Sequence, residues 1–137
     1  MINSFILSSL THPFHPFYRC PFPLKSRSKH AFVLAVNLKI KPGSLTLLKE
    51  KWAAVAVHAN SSAEPGCLSY ELCVGESDEN DLLIYERYVT KADYEGPHRA
   101  GAAFKAFGKW LNEESGILIS KSNKSYFETN VGHMLRG

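Results

Sequence analysis

No acidic side chain precedes Glu50 in this 137-residue chain, and residues 1–30 hold four basic residues but no carboxylate. Removing those four from the chain's 16 lysines and arginines leaves 12 basic against 13 acidic residues, so residues 31–137 carry a net charge of −1. A near-neutral domain lacks the basic surface that binds nucleic acid. We therefore exclude a nucleic-acid partner, although the whole chain has a formal net charge of +3.

The sequence also lacks the spacings that mark metal sites, phosphate loops and membrane spans. Its three cysteines, Cys20, Cys67 and Cys73, form no CxxC pair, and no histidine stands at metal-finger spacing from them. Cys67 and Cys73 lie in one predicted strand, roughly 20 Å apart at about 3.3 Å per residue, which is too far for a disulfide. No glycine-rich phosphate loop is present, and no apolar run approaches the ~20 residues of a membrane span. These absences predict free thiols in a reducing compartment, no metal site and no membrane span.

Residues 1–30 have the composition of a targeting segment. They contain five serines, four of the seven prolines and no acid. A basic, hydroxylated and acid-free composition is typical of an organelle transit peptide. We therefore divide the chain into a predicted plastid or mitochondrial leader, residues 1–30, and a folded domain, residues 31–137. The alternatives are a disordered tail that is never removed, which would leave the protein cytoplasmic, or a wrongly chosen start codon.

Hydrophobic periodicity past residue 30 predicts the order β-α-β-β-α-β. Apolar residues alternate along four stretches and recur at helical spacing in two. The predicted strands are residues 32–40, 67–74, 82–89 and a last strand of 117–119 and 126–130 with residues 120–124 as a loop; the predicted helices follow Ser44 and His98. In the second strand, the alternation groups Leu68 with Tyr70 on one face. The order is that of the ferredoxin-like split βαβ arrangement, an α+β fold with helices on one face of an antiparallel sheet.

The stretch from Leu82 to Phe107 organises this prediction. Its strand, residues 82–89, carries large side chains on both alternating faces. A sheet with one face in water does not require that pattern, so we expect a second copy of the chain to cover the other face and form a homodimer. A polar break at residues 90–99 then presents one histidine, His98, at the start of the second helix.

Three stretches resemble the antibiotic biosynthesis monooxygenase (ABM) domains, a family of dimeric α+β barrels. Residues 64–72, Glu-Pro-Gly-Cys-Leu-Ser-Tyr-Glu-Leu, resemble the family's turn into its second strand. Residues 85–88, Tyr-Glu-Arg-Tyr, resemble its third strand. Residues 98–107, His-Arg-Ala-Gly-Ala-Ala-Phe-Lys-Ala-Phe, resemble the histidine-led entry into its second helix. The stretches follow the family's order and spacing, and the likeness covers about residues 31–131.

The resemblance implies a small pocket between the sheet and the two helices of each protomer. Members of the family include monooxygenases that oxidise quinols or phenolic polyketides with no flavin, haem or metal, so the resemblance implies no cofactor here. Others are haem-degrading enzymes, isomerases of small metabolites and proteins with no assigned reaction. The haem-degrading branch carries asparagine, tryptophan and histidine where this chain has Val36, His98 and about Phe107, which disfavours haem degradation.

Cofactor-free oxygenation requires a base, because triplet oxygen reacts slowly with a closed-shell molecule until that molecule becomes an electron-rich anion. His98 is the predicted catalytic base, since histidine titrates near neutral pH. Tyr70 and Tyr85 are candidate donors to the substrate oxyanion, and Val36 and Trp52 complete the predicted substrate-binding set. The structural alternatives are a helix cap for His98 and core packing for Trp52 and both tyrosines.

The sequence therefore predicts a cofactor-independent monooxygenase that acts on a small quinol or phenolic substrate. One alternative is an isomerase of a small metabolite that uses the same pocket, and another is a ligand-binding or stress-response dimer without catalysis. Dependence on oxygen separates the first function from the other two.

Overall fold

The computed structural model describes residues 30–132, and the predicted leader lies outside them except for His30. Four strands are present in this part of the chain: β1 (Phe32–Ile40), β2 (Cys67–Val74), β3 (Asp81–Tyr88) and β4 (Leu118–Phe127). The helices are α1 (Leu45–Ala59), α2 (Lys91–Asp93) and α3 (Ala102–Lys109), with π-helical turns at Tyr94–His98 and Trp110–Glu114. Among the residues described, no helix is both long enough and apolar enough to cross a membrane.

The strands form one sheet in the order β2-β3-β1-β4, and every neighbouring pair is antiparallel. The apolar core lies on one face of this sheet, where alternate β1 side chains from Phe32 to Ile40 pack with residues of α1 and α3. Strand order and helix placement are those of the split βαβ arrangement. The predicted ferredoxin-like α+β fold is therefore confirmed.

Helix α1 forms where the apolar spacing predicted it. Leu48, Trp52, Val55 and Ala59 recur every three or four residues, and all four are buried. Ser44 occupies the N-cap position, but its side chain makes no capping hydrogen bond. Burial of the apolar stripe against the sheet, rather than a side-chain cap, therefore stabilises this helix.

Strand β2 departs from simple alternation at its first residues. Its pairing with β3 shifts between Cys67 and Ser69, which is a β-bulge. Cys67 therefore enters the core opposite Tyr88, while Leu68 is exposed. The predicted alternation holds for Tyr70 and Leu72, which pack in the core, and is wrong for Cys67 and Leu68.

The polar break predicted after β3 is wrong, because most of that segment is helical. A capping box begins it: the Thr90 hydroxyl accepts a hydrogen bond from the Asp93 N–H, and the Asp93 carboxylate accepts one from the Thr90 N–H. Pro97 has no N–H to donate, and the chain widens into the π-helical turn that carries His98. Gly66 fits closely against this segment, since a Cβ at that position would overlap the Asp93 side chain.

Strand β4 is continuous, so the predicted loop at residues 120–124 is wrong. It pairs with β1 from Phe127 opposite Phe32 to Leu118 opposite Ile40. The polar side chains that suggested a loop are exposed because β4 is an edge strand of the sheet. Backbone hydrogen bonds to β1, rather than apolar burial, hold this strand in place.

Val55 and Val57 provide a matched test of the packing of α1, since their side chains are 1% and 73% exposed. Val55→Ala removes two buried methyl groups, at about 0.8 kcal/mol each before any cavity is counted. We expect it to lower the free energy of unfolding by about 2 kcal/mol. Val57→Ala should change that free energy by no more than about 0.5 kcal/mol. Urea denaturation measures both variants, and equal losses would contradict this packing.

Candidate active site

A cavity of about 80 Å³ lies between the helix-facing side of the sheet and helices α1 and α3. Its lining residues are mostly apolar and aromatic: Leu34, Val36, Leu38, Trp52, Tyr70, Ile84, Glu86, Tyr94, Phe104, Phe107, Gly108, Leu111, Lys121 and Asn123. Lys121 and Asn123 are exposed residues of β4, so the cavity reaches the surface at that edge of the sheet. An apolar cavity with a few convergent polar groups is typical of a small-molecule site.

Glu86 supplies the carboxyl group of this cavity. Its place on β3 points it toward the core, and it is 3% exposed. The Tyr88 hydroxyl donates a hydrogen bond of 2.8 Å to Glu86 Oε2. Burial raises the pKa of Glu86 to about 7; the Tyr88 hydrogen bond opposes this shift, and the nearby Glu64 adds to it. Glu86 therefore gains and loses a proton near neutral pH.

His98 is fully buried between Glu64 and Glu86. Its Nδ1 lies 2.8 Å from Glu64 Oε2, and its Nε2 lies 3.9 Å from Glu86 Oε2. Because an ionised carboxylate only accepts hydrogen bonds, His98 donates its Nδ1 proton to Glu64 and keeps a lone pair on Nε2. Burial lowers the pKa of His98, against the opposing effect of the hydrogen bond to Glu64. The ring is therefore neutral near pH 7.

The structure brings most of the predicted site residues to one place. Val36, Trp52 and Tyr70 line the cavity, and the Trp52 and Tyr70 rings stack with their centroids 4.6 Å apart. His98 is not a lining residue, because Glu86 stands beside it and supplies the atoms that reach the cavity. Tyr85 lies on the opposite face of the sheet, since successive β3 residues point to opposite sides. Tyr85 is therefore outside this cavity.

The arrangement places a proton acceptor and a hydrogen-bond donor beside one apolar cavity. Tyr88 and His98 both approach Glu86 at Oε2, which leaves Oε1 for a ligand. Burial raises the pKa of Tyr70, so its hydroxyl stays protonated and able to donate to a substrate oxygen. Across residues 30–132, no group of three or more His, Cys, Asp or Glu side chains is placed to hold a metal ion.

The family comparison classifies the chain. The model of the family described as antibiotic biosynthesis monooxygenase (ABM) matches residues 31–110. The chain belongs to the ABM family. Membership supports a general monooxygenase-like role. No curated protein is significantly similar to it in sequence.

Solved structures agree with the ABM fold. A protein from Pseudomonas aeruginosa superposes with a TM-score of 0.63 at 18% identity, covering 75% of this chain and 98% of that one. A protein from Shewanella oneidensis superposes with a TM-score of 0.61 at 20% identity, covering 73% of this chain and 92% of that one. An antibiotic biosynthesis monooxygenase superposes with a TM-score of 0.60 at 18% identity, covering 74% of this chain and 99% of that one. At these identities the likeness shows the fold alone.

Sequence reasoning missed both buried carboxyl groups of this ABM site, Glu64 and Glu86. A signal for Glu86 was present, because the alternation of β3 places it on the same face as the buried Ile84 and Tyr88. Glu64 gave no comparable signal, since it lies in a turn and becomes buried only when His98 packs against it. The polar residues of β4 at the cavity edge were missed because that stretch was interpreted as a loop.

The raised pKa of Glu86 predicts how the stability of this ABM domain depends on pH. Between the ordinary value of 4.5 and about 7, the folded state keeps a proton that the unfolded state has lost. The Glu86 contribution to the free energy of unfolding should therefore fall by about 3 kcal/mol as pH rises through this window. Glu86→Gln has no titrating proton there, so it should remove that fall. Urea denaturation at pH 5 and pH 8 measures the effect.

Two comparisons isolate the Glu86 contribution. The lowered pKa of His98 makes the free energy of unfolding rise with pH, which is opposite to the Glu86 effect. His98 is present in both wild type and variant, so its effect is common to both. Glu50→Gln, at an exposed position of α1, should follow the wild-type pH dependence. Parallel curves for wild type and Glu86→Gln would show that Glu86 does not titrate in this window.

Proposed function

We propose that this protein is a cofactor-independent monooxygenase that oxidises a small phenol or quinol. The observation that carries the proposal is the Glu86 carboxyl group, which has a pKa of about 7 and borders an aromatic-lined cavity beside the neutral His98. A phenol ionises in water only near pH 10. A site that oxidises it with oxygen must therefore remove its proton and stabilise the anion.

The cavity contains groups for both tasks. As a carboxylate, Glu86 takes the substrate O–H proton on Oε1, while the Tyr70 hydroxyl and the Lys121 ammonium group stabilise the phenolate. The phenolate passes one electron to O₂, and the two radicals combine into a peroxide at a ring carbon. The peroxide takes the proton back and loses water, which leaves a quinone. One oxygen atom enters the product, the other becomes water, and the substrate supplies all four electrons.

The size of the cavity favours a substrate with a single ring. An apolar cavity of roughly 150 Å³ holds one benzene molecule, whereas this cavity measures about 80 Å³. One ring therefore enters only if part of the wall moves outward. The side chains of Lys121 and Asn123 stand on an exposed edge strand, so they can move without disturbing the core.

The isomerase and the non-catalytic binding protein make different use of the same groups. An isomerase would move a proton through Glu86 and consume no oxygen. A binding protein would hold a phenol in the cavity, and Glu86→Gln would alter only its affinity. Oxygen consumption and isotope incorporation therefore distinguish the three functions.

The deciding experiment is oxygen consumption by the full chain with a panel of single-ring hydroquinones and phenols. We expect one O₂ consumed per quinone formed and one ¹⁸O atom in the product from ¹⁸O₂. Glu86→Gln should lower turnover by about 10²–10⁴-fold with substrate binding less affected, because it removes the base. If His98 is instead the direct base, His98→Ala will show that loss and Glu86→Gln will not.

Matched controls separate chemistry from folding in this experiment. Glu50→Gln removes an exposed carboxylate of α1, and Tyr85→Phe removes a hydroxyl on the opposite face of the sheet. Both should keep wild-type turnover. No oxygen consumption with any phenol or quinol by a folded wild-type chain would refute the monooxygenase proposal.

We also propose that the protein is a homodimer through the sheet face opposite the helices. Tyr126 is exposed on that face, and Leu83 and Tyr85 lie half-buried on it. Within residues 30–132 no helix packs on these residues, since the core cluster is on the other face. A second copy that covers them would bury apolar surface that one copy leaves in water.

Sedimentation of the purified chain tests the dimer. We expect a mass about twice the 15.3 kDa of one chain at micromolar concentration. Tyr85→Asp, which places a charge on the proposed interface, should shift the mass toward that of a single chain. Val57→Ala, on the exposed side of α1, is the matched control and should leave it unchanged. A single-chain mass for the wild type would refute the dimer.

A further inference from the structure

Two buried polar atoms of the Glu64–His98 pair have no hydrogen-bond partner. In residues 30–132, the buried side-chain atoms in this condition are Glu64 Oε1, Asn80 Oδ1 and His98 Nε2. An unpaired buried polar atom is unfavourable, so its presence requires an explanation. Glu64 and His98 are hydrogen-bonded to each other through their other polar atoms. Each unpaired atom therefore faces away from that bond, toward a different titratable group.

Those neighbours extend the pair into a row of four groups. On one side, His58 Nε2 lies 3.4 Å from Glu64 Oε1; on the other, His98 Nε2 lies 3.9 Å from Glu86 Oε2. The 3.4 Å contact is within ion-pair distance but lacks hydrogen-bond geometry, which is why Glu64 Oε1 is unpaired. The His58 side chain is 35% exposed, whereas the other three are almost completely buried. The row therefore runs from the protein surface to the cavity.

Gly101 leaves room for His58 at the outer end of this row. A Cβ at position 101 would lie 3.2 Å from His58 Nε2 and 3.1 Å from the His98 carbonyl oxygen. Both distances are tighter than ordinary side-chain contacts, so the missing side chain lets the His58 ring approach Glu64. The turn before α3 is therefore packed directly against the imidazole.

We propose that His58, Glu64 and His98 form a proton relay between Glu86 and the solvent. The proposal rests on the proposed function, in which Glu86 must be a carboxylate before it can act as a base. A proton that Glu86 still holds when the substrate fills the cavity and excludes water must therefore leave by another route. Glutamate and histidine both accept and release protons, and histidine does so most readily near neutral pH. The relay explains why the two unpaired atoms point at titratable neighbours.

Each transfer conserves protons. Protonated Glu86 gives its proton to His98 Nε2 while the His98 Nδ1 proton passes to Glu64 Oε2. Rotation of the Glu64 carboxyl group then brings that proton to His58 Nε2, and His58 releases its Nδ1 proton to water. After the product leaves, the reverse sequence restores the starting proton positions of all four groups, so a turnover has no net proton uptake. Side-chain movements of about 1 Å bring the two longer contacts to hydrogen-bond distance.

Proton exchange measures the relay without any substrate. In the full chain labelled with ¹⁵N-histidine, NMR follows exchange of the His98 Nδ1 proton with water. His58→Gln keeps a polar side chain but has no imidazole to carry a proton. We therefore expect exchange to slow by about tenfold. This is less than the 10²–10⁴-fold that a direct proton-transfer group contributes. His30→Gln, an exposed histidine outside the row, is the matched control and should exchange as wild type does.

Gly101→Ala provides a second variant that retains all four groups. Its new Cβ displaces the His58 ring from Glu64, so exchange should slow although both histidines remain. A purely structural role for His58 predicts unchanged exchange in the two variants. Wild-type exchange in both folded variants would overturn the relay.

Turnover separates failure of the relay from failure of the proposed function. With an oxidised phenol or quinol, His58→Gln should lower kcat by about tenfold at unchanged KM, and added imidazole should restore it. Exchange that depends on His58 in a protein that oxidises none of these substrates would keep the relay and refute the monooxygenase. Oxidation at the wild-type rate in His58→Gln would refute the relay alone.

Discussion

The hydrogen bond between Glu64 and His98 is the contact on which the site depends. Both side chains are removed from water, and a buried carboxylate without a donor is strongly disfavoured. Loss of His98 would leave the buried Glu64 carboxylate without its donor, which costs about 1–3 kcal/mol, or more because the group is charged. The bond spans 34 residues of sequence and joins the turn before β2 to the turn after β3. The bond therefore holds the two turns together and places the Glu64 carboxylate in the site.

Local features of the backbone prepare this contact. The capping box at Thr90 starts the helical segment, and Pro97 accompanies the π-helical turn that directs His98 inward. Gly66 allows the turn that carries Glu64 to lie against Asp93. The same arrangement brings the negative charge of Glu64 near Glu86, where it adds to the effect of burial on the Glu86 pKa. The contacts that position the backbone of the site therefore also raise the pKa of Glu86.

The elements that could be predicted are those whose signal is local. The alternation of β1 and the apolar spacing of α1 appear within a dozen or so residues, because one face of each element must be buried. Strand β4 gives no such signal, since backbone pairing with β1 stabilises it and its side chains remain in water. The bulge at Cys67 was equally invisible, because one extra residue reverses the faces without changing composition.

Only part of the candidate site could be predicted, because some of its contacts leave no signal in a local stretch of sequence. The family resemblance pointed to His98, strand position suggested Tyr70, and the structure places both with Val36 and Trp52 at or beside one cavity. The partnership of His98 with Glu64 depends on a tertiary contact that neither local stretch encodes alone. Tyr85 was grouped with them because position along a strand was considered without its direction, and adjacent residues point to opposite faces.

The β4 residues that border the cavity are not the residues that stabilise the protein. Lys121 and Asn123 border the cavity, yet they belong to a strand whose side chains contribute almost nothing to the core. Substitutions of such exposed residues usually change the free energy of unfolding by about 0.5 kcal/mol or less. The same substitutions would alter charge and shape where a ligand enters. The fold can therefore acquire a different substrate preference in small steps, each of which leaves its core intact.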